Sequence, residues 1–214
     1  MITITDATRS HVLEDDIALQ ALQSGLLNFS AYAEQIVPSI EARTFKEVKK
    51  GTVVVALTRI AQEMNGSTTL RPQVVIDDLS IKSPLCDISF SKTELARKQM
   101  ISLYNHIELD ENAFFTVTQS MSEITIVAPQ VLLEDIVHHF GESPKVIYRD
   151  RVGLTVRFSK EYLAVPNVLY TLQAALAVHK INFTEVISTY TEFSFIIEKE
   201  NVEIATRALQ RFLR

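Results

Sequence analysis

The sequence predicts an α+β fold, with a small helical region followed by two consecutive β-α-β-β-α-β units. Three observations point there. Up to about Met64 the apolar residues recur at helical spacing. From Leu70 the period shortens to that of strands. The strand and helix order that follows then restarts at Gly153, so the second half reads as an internal repeat of about sixty residues.

In the helical region a first helix is expected over His11–Ser24. Leu13, Ile17, Ala18, Ala21 and Leu22 fall on one face, and Gly25 is its stop. A second is expected from Ser30, with Ala33, Ile36 and Val37 inward, until Pro38 ends or kinks it. A third follows Gly51 with Thr52 as its N-cap and Val53, Leu57, Ile60, Ala61 and Met64 as its stripe. Asn65-Gly66-Ser67 breaks that pattern.

Beyond it, Gln73–Ile81 is β-like and ends at a Ser83-Pro84 turn, and Asp87–Ser91 alternates as a half-buried strand does. A helix over Thr93–His106, strands over Ala113–Thr118 and Glu123–Val127, a helix over Gln130–Phe140 and a strand over Lys145–Tyr148 complete the first unit. The second comprises a strand over Gly153–Phe158, a helix opened by Pro166, strands over Phe183–Ser188 and Phe193–Ile197, and a helix over Val202–Phe212. Its closing strand has no counterpart before Arg214, and Gln73–Ile81 is the candidate to supply it at a sheet edge. Both units are split βαβ, or ferredoxin-like, arrangements. The expected domains are 1–70, 71–150 and 151–214.

Composition removes several function classes. The formal charge of −5 gives no general attraction to nucleic acid or to an anionic membrane. The chain has five glycines, all isolated, so no loop is built to cradle a nucleotide's phosphates. Cys86 stands alone, which leaves no disulfide framework and no cysteine zinc site. No secretory signal or membrane-spanning run is read, so a cytoplasmic location is expected. The histidines, including the His138-His139 pair one turn after Glu134-Asp135, form no His-Glu-x-x-His pattern and no triad. No catalytic residue, metal or cofactor is therefore expected, and the chain is read as not an enzyme.

Val165-Pro166-Asn167-Val168-Leu169, Leu172, Ala175-Leu176-Ala177 and Lys180-Ile181-Asn182 together resemble the ACT domain, and so do the strands around Ile187 and Glu192–Ile197 and the helix over Asn201–Leu209. The likeness is to the aspartokinase type. It covers about the last sixty residues, and the first unit shares only the order of elements. The family has glycine where Asn167 and Lys180 stand. The resemblance implies paired modules of a homodimer, joined through their sheets or helices, with an amino acid or similar small molecule as effector. The ligand-binding candidates it implies are Val165, Asn167, Val168 and Leu169, with Asn182 and Thr184 on the neighbouring strand. A free helix N-terminus at Val168 would hold the ligand's carboxylate. The helical first 70 residues hold no glycine-containing kinase domain, so the expectation is a regulatory protein.

The helices from Ser30 and from Thr52 also look similar to a helix-turn-helix core, with Leu70–Ile81 as a wing. On that reading Lys46, Lys49 and Lys50 meet phosphates, while Thr52, Val55 and Arg59 reach base edges. The competing reading is a solvated charged loop on a dimerisation domain. Two functions follow: an amino-acid sensor signalling through a helical domain with DNA as candidate partner, or a regulatory subunit for a partner protein with neither ligand nor DNA.

Overall fold

The computed structural model describes residues 2–64 and 69–214. The chain divides into two compact units, Met1–Gln73 and Val74–Arg214. The break read at Asn65-Gly66-Ser67 lies outside the described residues.

The first unit has four helices: α1 (Ile4–Glu14), α2 (Asp16–Gln23), α3 (Phe29–Thr44) and α4 (Lys50–Met64). The helix expected over His11–Ser24 is thus two helices, and capping chemistry explains why. Thr3 caps α1 by accepting the Asp6 N–H, and Asp15 adopts an extended backbone and caps α2 by accepting the Ala18 N–H. The Asp15 carboxylate also accepts the Tyr32 hydroxyl at 3.1 Å. Breaking the helix there shifts its phase, so Leu13 and Ile17, expected inward, are exposed. Helix α3 begins after an Asn28 cap and runs straight through Pro38. The carbonyl deprived of a donor by Pro38 belongs to Glu34, and both residues are exposed, so it is not left unpaired in the core. Thr52 is not a cap but sits in the first turn of α4, its N–H donating to the Lys49 carbonyl. Val12, Ile36, Ile40, Val53, Leu57 and Ile60 form the core of this unit.

The second unit is a six-stranded antiparallel sheet in the order β2-β3-β1-β4-β6-β5. Its strands are β1 (Ile76–Ser91), β2 (Thr116–Gln119), β3 (Glu123–Pro129), β4 (Val146–Phe158), β5 (Phe183–Ser188) and β6 (Glu192–Glu198). Its helices are α5 (Glu94–Ser102), α6 (Leu133–Phe140), α7 (Val168–Ala177) and α8 (Val202–Gln210). Two pairs of expected strands are each one long strand. Gln73–Ile81 and Asp87–Ser91 merge into β1, with register shifts around Ser83-Pro84 in place of a turn. Lys145–Tyr148 and Gly153–Phe158 merge into β4, so the boundary expected at 150/151 falls inside a strand.

These two strands lie side by side at the centre and serve both halves of the sheet. The first part of β1 pairs with the last part of β4, from Ile76↔Phe158 to Lys82↔Gly153. The later part of β1 pairs with β3, from Leu85↔Pro129 to Ser91↔Glu123. The strand expected at a sheet edge is therefore central. Alternation then decides the layers. Ile88, Phe90, Ile124 and Ile126 pack against α5 and α6, while Leu154, Val156, Phe195 and Ile197 pack against α7 and α8. On the opposite face Leu85, Val127 and Ile196 meet Phe114 and Ile187 in a smaller cluster. Cys86 is buried in the first of these cores with its thiol pushed up to about 11 by burial, which makes it packing material rather than a nucleophile.

Candidate functional site

Between β4 and α7 the chain makes a 3₁₀ turn over Lys160–Ala164, capped by Ser159, and then Val165-Pro166-Asn167. Asn167 has φ 69° and ψ 17°, the left-handed conformation, and its side chain makes no cap to its own helix. Its carbonyl accepts the Thr171 N–H at 2.9 Å, so α7 starts properly. The first N–H groups of a helix have no acceptor within the helix, and together with the helix dipole they favour an anion. Here the cap side chain does not occupy them.

That helix end opens on a cavity of about 250 Å³. Its walls come from three places: Tyr162 and Val165 from the turn, Val168 and Leu169 from α7, and Ser188–Tyr190 from the β5–β6 hairpin. Tyr162 is fixed by its hydroxyl, which accepts the Val75 N–H at 2.9 Å. Phe158 and Phe193, with ring centroids 4.8 Å apart, form the floor. The lining is mostly apolar, with Tyr162, Asn167, Ser188, Thr189 and Tyr190 as its polar residues.

Four sequence candidates, Val165, Asn167, Val168 and Leu169, line this one cavity. Asn182 and Thr184 do not. Asn182 is exposed just before β5, and β5 carries the chain roughly 20 Å from there to Ser188. Thr184 Oγ1 is buried on the helix-free face beside Asp87, where its hydroxyl favours the charged carboxylate. Sequence reasoning missed Tyr162 and the Ser188–Tyr190 hairpin. Thr189-Tyr190-Thr191, a polar turn between two alternating strands, was the available signal.

The corresponding corner of the first half is closed. Thr93, with an extended backbone, caps α5 by accepting the Ala96 N–H at 2.9 Å. The Thr93 hydroxyl in turn donates to the Glu142 carboxylate at 2.7 Å, so a negative charge already sits by that helix end. On α6, His139 Nε2 lies 2.9 Å from the Gln99 carbonyl, so that nitrogen carries the hydrogen and is committed to a backbone acceptor.

Elsewhere in the second unit the helix-free face buries charge. Asp87 is 2% exposed. Burial pushes its carboxyl above the ordinary range, against the Thr184 hydroxyl and the Arg151 guanidinium, which pull it down. Glu185 is raised by burial and by the charges of Asp87 and Glu123. Arg151 pairs with Glu198 at 3.3 Å and lies over the Tyr148 ring.

In the helical unit Lys46, Lys49, Thr52, Val55 and Arg59 are all exposed. Lys50 pairs with Glu34 at 2.7 Å, and Arg43 pairs with Glu14. The expected wing is overturned, because Ile76–Ile81 is part of the central strand β1, held in the sheet by β4.

The class that the second unit defines is an α+β fold whose six-stranded antiparallel sheet carries four helices. The sequence matches no protein-family model and no curated protein. Solved structures do share the fold. One is the ligand-free regulatory subunit of aspartate kinase from Thermus thermophilus, at 13% identity and a TM-score of 0.52, covering 64% of this chain and 97% of that one. Another is the corresponding subunit from Thermus flavus, at 14% identity and a TM-score of 0.52, covering 64% and 98%. A third is the allosteric aspartate kinase of Clostridium acetobutylicum, at 12% identity and a TM-score of 0.53, covering 65% of this chain and 35% of that one. The second unit thus shares the fold of these aspartate kinase regulatory subunits. Among the described residues no helix is long and apolar enough to cross a membrane.

Proposed function

We propose that Val74–Arg214 is a pair of ACT-like modules that binds an amino acid at the α7 cavity and regulates the helical unit, without catalysis. The observation that carries this is the contrast between the two helix ends. Helix α7 presents uncapped N–H groups to a cavity of about 250 Å³, whereas α5 is self-capped and faced by Glu142. An amino acid's carboxylate would sit at Val168 and Leu169, with its side chain against Tyr162, Val165 and Phe193.

Asn182 fits this scheme only through a second copy, whereas Thr184, buried beside Asp87, has no part in it. Strand β5 is an edge of the sheet. Antiparallel pairing of two β5 strands about a two-fold axis sets the start of one beside the end of the other. That arrangement brings the second copy's Asn182 towards the first copy's Ser188 end, and completes the cavity with a polar residue for the ligand's amine. Ligand binding would then favour one quaternary arrangement over another, with a coupling of about 1–3 kcal/mol typical.

The test is a thermal-shift screen of the whole chain against the twenty amino acids. One amino acid or a small group should stabilise it, by about 2.7 kcal/mol at a hundredfold excess over its Kd. Asn167→Asp keeps a residue that tolerates the left-handed backbone but sets a carboxylate against the ligand's, so the shift should vanish while the unliganded fold persists. A chain indifferent to all twenty, or a shift untouched by Asn167→Asp, sinks the sensor. A regulatory subunit without a ligand then takes its place.

A further inference from the structure

A second cavity lies on the face of the sheet that α7 and α8 leave uncovered. Leu154 and Val156 point into the helix-side core, so Thr155 between them points the other way. The register places Ser80, Thr155, Ser194 and Ile187 in one row across β1, β4, β6 and β5. The segment Asn112–Thr116, which leads into β2, lies over that row and encloses about 270 Å³. On the other side of the same segment is a smaller, mainly apolar cavity of about 170 Å³, walled by Pro84, Leu85, Pro129 and Val131. Lys82, Asn112 and Phe114 line both cavities.

Two features of this place bear on a ligand. Lys82 is half-buried, and among the described residues no carboxylate lies within ion-pairing distance of it. Glu192 lines the larger cavity, but it lies four positions further along the strands than the Lys82 row, about 13 Å away in that direction. Thr155 and Ser194 also bond to each other at 2.7 Å, although Ser194 is 5% exposed. Two hydroxyls sharing one hydrogen bond leave one O–H without an acceptor. The first half has a matching pair, Ser89 and Thr125 at 2.8 Å, so the pair itself belongs to the fold. What the second half adds is a cavity over the pair and a lysine at its mouth.

We propose that these adjoining cavities form a second small-molecule site, for a carboxylic acid bearing a hydroxyl or amino group next to the acid and an apolar tail. The carboxylate would meet the Lys82 ammonium and the Asn112 amide. Its polar neighbour reaches the Thr155–Ser194 pair, and the tail enters the apolar cavity beside Phe114 and Leu85. The floor comes from one half of the sheet and the roof from the other, so an occupant would hold Asn112–Thr116 down.

Isothermal titration of the full chain with 3-phenyllactate tests this, with 3-phenylpropionate and the neutral 3-phenyl-1,2-propanediol as comparisons. Phenyllactate should bind with a Kd of about 1 mM or below. Phenylpropionate should bind more weakly and the diol not at all. Lys82→Met should weaken phenyllactate by about tenfold, while Lys82→Arg retains it. Asn167→Asp should leave it unchanged, which separates this site from the α7 cavity. Absence of phenyllactate binding overturns the proposal. So does equal affinity in a Lys82→Met protein whose melting midpoint matches the parent, or loss of binding in Asn167→Asp alone.

Discussion

Lys180→Gly should stabilise the second unit. Lys180 has φ 56°, in the left-handed region. It holds that conformation because α7 ends in a Schellman turn, in which the Ile181 N–H donates to the Leu176 carbonyl at 3.3 Å and the Lys180 N–H to the Ala177 carbonyl at 2.9 Å. Leu176 and Ile181, the apolar pair of that motif, are both buried in the core. The side chain of Lys180 is exposed and forms no ion pair among the described residues, so glycine removes only the Cβ strain. That strain costs about 1–2 kcal/mol. The greater freedom of glycine in the unfolded chain returns about 0.4–1 kcal/mol of it. The net gain is about 0.5–1 kcal/mol, or a rise of roughly 1–4 °C in the melting transition of a unit this size. Circular dichroism melts of the parent, Lys180→Gly and Lys180→Ala decide the matter. Alanine keeps the Cβ and should gain nothing. A Gly variant that melts lower, or an Ala variant that gains as much, would refute the strain argument.

Two further outcomes are expected. Asp87 and Glu185 have carboxyls raised above their ordinary values, chiefly by burial, so the folded chain binds their protons more readily than the unfolded chain. Their contribution to stability therefore grows as pH falls from neutral through the raised values towards about 4, the unfolded carboxylate value. Asp87→Asn should flatten that rise and stabilise the unit at pH 7; a urea midpoint that does not rise between pH 7 and 5 in the parent contradicts the assignment. In the helical unit, DNA as partner rests on the exposed Lys46 and Lys49 with Thr52, Val55 and Arg59 beside them. The whole chain should then be retained on heparin or random duplex at low salt and elute earlier as Lys46→Glu/Lys49→Glu. Identical elution leaves these lysines as solvated surface.

The sequence was most informative where local chemistry and tertiary packing agree. Strand β5 occupies the span its alternation predicts, and Asn167 stands in the left-handed conformation that a glycine would adopt there. It misled where a polar residue had a partner far along the chain. Arg149-Asp150-Arg151 reads as a loop, yet Arg151 is drawn into β4 by Glu198 and the Tyr148 ring, and the strand does not end. Ser83-Pro84 reads as a turn, yet the strand resumes beyond it because β4 pairs on both sides of it. Near the N-terminus, Asp15 caps a helix and holds Tyr32, and that break shifts the apolar phase of the single helix expected there. The walls of the α7 cavity were half legible. Val165 to Leu169 are contiguous, whereas Tyr190 arrives through a hairpin return that no local pattern encodes.

Why one fold closes its first helix end and opens its second comes down to the backbone of a single residue. A capping side chain reaches the N2 or N3 amide only when its own residue is extended. Thr93, at φ −77° and ψ 169°, satisfies that condition, and its hydroxyl fills the site an anion would take. Asn167 is a residue type that caps well, as Asn28 does for α3, but at φ 69° its side chain makes no cap hydrogen bond to its own helix. The left-handed turn therefore separates Asn167 from the amides it would otherwise satisfy, and Val168 and Leu169 line the cavity at that helix end. Glycine would leave the same amides open. Asparagine makes no cap there either, and adds an amide side chain to the cavity lining that glycine lacks, so it narrows the approach to α7 without closing it.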